Sequence, residues 1–255
     1  MKKILFALVA SSMLLLAFGC DDNNKQLEQT GVLELNFKGT FGDQPLMMYA
    51  KEYPYEAGMA VKFQLFRFYL SDLSVFKSSV QNSIKISDIE IVDFKEIQSD
   101  AAAQDGFTIR IKNVPTGDYS GLNAGLGVSP TLNKTQPGNY DPTHPLSDNY
   151  WSWALGYVFT KIEGTADADG DGQLTDKITF HIGGDPYYRT KEFNKAFSVK
   201  AGETTRLNFE VDLERVLVAS PGNYLDFKKV TIDHTNDTDI ANFISDNLKA
   251  AVEIK

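Results

Sequence analysis

Apolar and polar residues alternate with a period of two in short runs along most of the chain. Val32 to Phe37, Val61 to Leu65, Ile84-Lys85-Ile86, Ile89-Glu90-Ile91, Phe107 to Ile111, Ile178-Thr179-Phe180 and Leu207 to Val211 each put apolar side chains on one face and polar ones on the other, the signature of a half-buried strand. Turn formers punctuate them at Pro115-Thr116-Gly117-Asp118, Gly183-Gly184 and Ala201-Gly202. Phe197-Ser198-Val199 followed by a short turn and Leu207 to Val211 predicts a hairpin. Strands at this spacing predict an all-β fold, an antiparallel β-sandwich with long loops.

Two stretches depart from the alternation. Gly127 to Asn149 is rich in Pro, Asn, Thr and Gly and predicts a long surface loop, a class of segment that often carries function. From Asp237 to Val252 the period changes: Ile240, Phe243, Ile244, Leu248 and Ala251 fall at helical spacing, with Asp237 or Thr238 available as N-cap. That predicts one C-terminal amphipathic helix packed on the sandwich.

The first nineteen residues read as a targeting segment. Lys2 and Lys3 precede an apolar run from Ile4 to Phe18, too short to span a bilayer. It ends Leu16-Ala17-Phe18-Gly19-Cys20, which resembles the processing site of bacterial lipoproteins, and Cys20 is the single cysteine of the chain. Residues 20–30 then form a lipidated polar tether anchored in outer-membrane lipid through Cys20, and residues 31–255 one domain. The expected location is the outer membrane, on its periplasmic or cell-surface face. With Cys20 lipidated no disulfide is available, so the core alone must hold the fold. Loss of the leader takes Lys+Arg from 25 to 23 against 34 Asp+Glu, a net charge of about −11. Such acidity argues against nucleic acid as a partner and favours cations or plain solubility.

Two motifs carry metal chemistry. Asp167, Asp169 and Asp171 alternate with Ala168 and Gly170 before Gly172, Gln173 and Asp176. Carboxylates at positions one, three and five of a tight loop can converge on calcium, with the Gln173 carbonyl and Asp176 as further ligands; an Asp/Gly-rich turn is the alternative. The twelfth position of this loop is Ile178, so it is not an EF-hand. The second motif is a cluster of rare residues. Both tryptophans, Trp151 and Trp153, and two of three histidines, His144 and His181, lie in one stretch. Imidazoles suit copper or zinc, and paired indoles serve equally as core or as a sugar platform. No nucleophile elbow, HExxH motif or catalytic cysteine appears, so a non-enzymatic role is expected.

The ordered motifs resemble the MbnP-like family of copper-binding proteins, named after a periplasmic partner of methanobactin. Leu35-Asn36-Phe37 with Phe41-Gly42-Asp43-Gln44-Pro45-Leu46 resembles its opening strand and turn, and Phe63 to Leu73 its second motif. Pro115 to Tyr119 with Gly125-Leu126-Gly127-Val128 follows. Asp141-Pro142-Thr143-His144-Pro145, Trp151 to Tyr157 and Phe180-His181-Ile182-Gly183-Gly184 resemble its central signature. The resemblance implies a β-sandwich, a copper ion held by His144 and His181 with His234 as a further match, and oxidation of Trp151 or Trp153 beside the metal. It also implies a diheme peroxidase-type cytochrome as oxidising partner. One family histidine, in an F-x-H context after the first strand, is replaced by Gly39; Met47 and Met48 offer thioether sulfur nearby. The expected function is therefore a lipid-anchored copper-handling protein. The alternative is a calcium-stabilised surface binding module that has lost copper.

Overall fold

A computed structural model describes residues 29–151, 155–235 and 237–255. The expected signal segment, Cys20 and Trp153 lie outside the described residues. Among those described, nine strands run five residues or longer: β1 (Thr30–Phe41), β2 (Ala60–Phe76), β3 (Ser83–Asp93), β4 (Phe107–Pro115), β5 (Gly121–Leu126), β6 (Gly156–Ala166), β7 (Asp176–Gly183), β8 (Arg189–Phe193) and β9 (Thr204–Asp212). Three α-helices accompany them: α1 (Asp100–Asp105), α2 (Leu213–Leu217) and α3 (Thr238–Ala251). The fold is all-β and sandwich-like, closed by the C-terminal helix.

In the first sheet β1 lies between β9 and β4, and Val252–Ile254 pairs with the outer side of β9. The second runs β8-β5-β2-β6-β7, with β3 also on β2 and the short strand Ile232–Asp233 on β7. Alternation becomes burial directly. Leu33, Leu35 and Phe37 of β1 and Ile178, Phe180 and Ile182 of β7 all point into the core between the sheets. Aromatic rings lock the layers together: Phe37 meets Phe68 edge-on at 6.4 Å, and Phe193 meets Phe209 at 5.2 Å.

Pairing differs from the expected antiparallel pattern in two places. β1 pairs parallel with β9, Val32 opposite Thr204 and Phe37 opposite Phe209, and β7 pairs parallel with Ile232–Asp233. The predicted hairpin of Phe197–Val199 with Leu207–Val211 does not form its ladder. Phe197 pairs instead with Tyr119, and Leu207 with Leu35. Partners distant in sequence offered both segments better apolar neighbours than the local turn could.

The loop from Gly127 to Asn149 folds over the outer face of the second sheet. Val128 and Leu146 close a smaller core there with Tyr69, Ile89, Tyr157 and Phe159. Two phenols tie it down: Tyr69 donates to the Pro145 carbonyl at 2.7 Å and Tyr157 to that of Leu146 at 3.1 Å. Burial pushes the Tyr69 hydroxyl up to about 12, so it remains a donor across the physiological range. The C-terminal helix starts as read from the sequence, with the Asp237 carboxylate accepting from the amides of Asp239 and Ile240.

Candidate metal centre

Because Phe180 and Ile182 enter the main core, His181 between them stands on the opposite face of β7. There its imidazole meets that of His234, carried on the loop between Ile232–Asp233 and α3. The ring centroids lie 4.9 Å apart with planes 9° from parallel. Trp151 completes the group, its indole 6.4 Å from the His181 ring and 6.2 Å from that of His234. The three rings differ in access: Trp151 is buried, His181 half-buried and His234 exposed.

A fourth residue fixes the electrostatics. Nε2 of His181 stands 2.7 Å from Oε1 of Glu163 on β6. A carboxylate accepts only, so the proton belongs on Nε2, and Nδ1 keeps its lone pair. Burial holds the His181 imidazole below its ordinary basicity, an effect the Glu163 hydrogen bond partly opposes. A neutral ring with one free nitrogen and a carboxylate behind it is the arrangement metal-bound histidines use. Glu163 was not foreseen from the sequence. The β6–β7 register, with Lys161 opposite His181 and Thr179 opposite Glu163, is what brings it onto the same face.

His144 is placed elsewhere. Its ring stacks on Tyr140 at 4.1 Å, 6° from parallel, and its Nδ1 accepts the Leu146 amide at 3.1 Å, capping the turn Pro145–Ser147. Neither interaction involves His181. The ring found against His181 is that of His234, a residue 53 positions further along. Proximity in sequence put His144 in the cluster, but the loop that carries it turns its ring onto Tyr140.

The acidic loop is built as a compact turn between β6 and β7. Asp167, Asp169 and Asp171 bring carboxylate oxygens within 4.8 Å of one another. Asp167, buried, also accepts the amides of Gly170 and Gly172. Asp176 is used differently, accepting the amide of Ala168 and stapling the loop base, while the Gln173 carbonyl accepts the Thr175 amide.

The MbnP family model matches residues 30–241. The chain belongs to the MbnP family. Among solved structures it is similar to MbnP from Methylosinus trichosporium, at 17% identity and a TM-score of 0.48, over 75% of this chain and 78% of that one. No curated protein matches it.

Does the donor set of this MbnP-family chain fit copper? Two imidazoles lie side by side, their ring centroids 4.9 Å apart, and imidazole suits copper. Further side chains expected nearby are elsewhere. Gly39 faces the main core, where an added Cβ would meet Phe94 at 3.0 Å and Leu46 at 3.1 Å. Met47 and Met48 are packed in that same core, across the second sheet from His181. Among the described residues, no His, Asp or Glu joins His181 and His234 to make a three-ligand cluster. What the described residues offer is a pair of stacked imidazoles bordered by an indole.

Proposed function

We propose that this MbnP-family protein binds copper outside the cytoplasm, with His181 and His234 as the nitrogen ligands and Trp151 against them. The observation that carries the reading is the stacked imidazole pair with a buried indole bordering both rings. Glu163 holds His181 in the tautomer that leaves Nδ1 free, and burial keeps that ring neutral, as ligation requires. Bound copper would supply a one-electron redox centre; the protein supplies orientation and an oxidisable ring beside it. The lipoprotein-type leader ending at Cys20 supports anchoring in a membrane by lipid, and among the described residues no helix is long and apolar enough to cross one. The acidic loop is assigned to calcium as a structural ion.

A surface module using the tryptophans for a glycan is less well supported, because Trp151 is only 8% exposed and faces the histidines. Anaerobic titration with Cu(I), and separately Cu(II), tests the assignment. One equivalent should bind, His181→Ala and His234→Ala should each lose tight binding, and His144→Ala should keep it. Equal binding by all four proteins, or none by the wild type, would reject it. Intact mass of protein from its native host would report lipid on Cys20 and oxygen gained at tryptophan together.

A further inference from the structure

We infer that Thr235 is the positioning residue that holds His234 against His181, its hydroxyl standing in for a missing piece of sheet. The inference rests on the proposed copper role of the imidazole pair and extends it to the residue that assembles that pair.

Ile232–Asp233 pairs with β7 in parallel, Thr179 opposite Ile232 and Phe180 opposite Asp233. Beyond Asp233 the backbone ladder stops, leaving the edge of β7 at His181 and Gly183 without strand partners. Thr235 supplies them from its side chain. Its Oγ donates to the carbonyl of His181 at 2.9 Å and accepts the amide of Gly183 at 3.0 Å. One hydroxyl thus satisfies a donor and an acceptor that would otherwise be left unpaired beside the site.

The backbone bends to make this contact. Thr235 has φ +60°, a left-handed conformation that a β-branched residue adopts only under constraint. Asp233 provides the constraint: buried, it accepts the amide of Thr235 at 2.9 Å with one oxygen and that of Asp237, the N-cap of α3, at 3.0 Å with the other. His234 sits between these two anchored residues. Local strain held in place by surrounding bonds is common where a side chain must be aimed, and here the aimed side chain is the imidazole stacked on His181.

The test uses the full domain with Thr235→Ser, Thr235→Val and Thr235→Gly. Serine keeps the hydroxyl, valine keeps the shape without it, and glycine removes both hydroxyl and backbone strain. In metal-free protein, NMR contacts between the His181 and His234 rings should persist in the serine variant and vanish in the other two. Copper affinity should follow the same order, falling roughly tenfold or more where the hydroxyl is absent, the usual scale for losing a group that orients a ligand. If glycine retains the ring contacts, or serine loses them, the hydroxyl does not place His234 and the inference is overturned. The glycine variant covers the case in which valine fails to fold. If no protein binds copper yet the ring contacts still track the hydroxyl, the copper assignment fails and the positioning role stands.

Discussion

Glu163 and His181 face each other across neighbouring strands, with Oε1 of the one 2.7 Å from Nε2 of the other. Burial is the larger influence on the imidazole and disfavours its proton; Glu163 favours it. In metal-free protein His181 should titrate below its ordinary 6.5, and Glu163→Gln should move it lower still. The stability consequence has a definite sign. Above about pH 6.5 the ring is neutral in both states. As pH falls further the unfolded chain takes up the proton first, so stability declines until the folded-state value is passed. His181→Gln should flatten that part of the pH–stability curve. An unchanged curve, or a His181 titration above 6.5, would contradict the assignment.

His144 should matter to stability rather than to metal. Replacing it with alanine removes a stacking partner of Tyr140 and the acceptor for the Leu146 amide. Losing such a cap and ring contact costs about 1–2 kcal/mol, measurable by urea denaturation. A His144→Ala protein of wild-type stability that had lost copper would return this residue to the ligand set.

A histidine placed at position 39, where the resemblance implies one, should not strengthen the metal site. The side chain would have to enter the packed core against Phe94 and Leu46, and overpacking of this kind costs about 1–3 kcal/mol. Gly39→His should therefore lower the melting temperature and leave copper affinity unimproved. Tighter copper binding in this variant would show that the core opens at that point to admit a ligand.

The acidic loop separates two roles of its carboxylates. All three accept loop amides, but Asp167 is buried and takes two of them, whereas Asp169 and Asp171 are exposed. Calcium at ~100 times its dissociation constant should stabilise the fold by about 2.7 kcal/mol, an increment a chelator removes. Asp169→Asn with Asp171→Asn should abolish that increment and leave the calcium-free melting point in place. Asp167→Asn should lower both. No calcium dependence in the wild type would mark the loop as a turn and nothing more.

Much of the fold was legible because burial follows alternation. Val61 to Leu65 proved to be part of the long β2, and Asp237 capped the predicted helix. What escaped was partnership. Phe197 pairs with Tyr119 and Leu35 with Leu207, choices made by tertiary packing that no local window contains. The site shows the same division. His181 was recognisable in its motif, but Glu163 joins it only through strand register, and His234 only through a parallel strand ended by Thr235. His144 sat close in sequence and was claimed instead by Tyr140.

The parallel pairing of β1 with β9 also sets when the molecule can finish folding. Val32 must find Thr204, and the last short strand, Val252–Ile254, completes the same sheet on β9. Until nearly the whole chain is present, the opening strand lacks the neighbour that covers one of its edges. Contacts this distant make closure of the first sheet slow. A protein threaded through a membrane before it folds would gain from that delay, because β1 cannot be paired on that edge before Thr204–Asp212 has arrived.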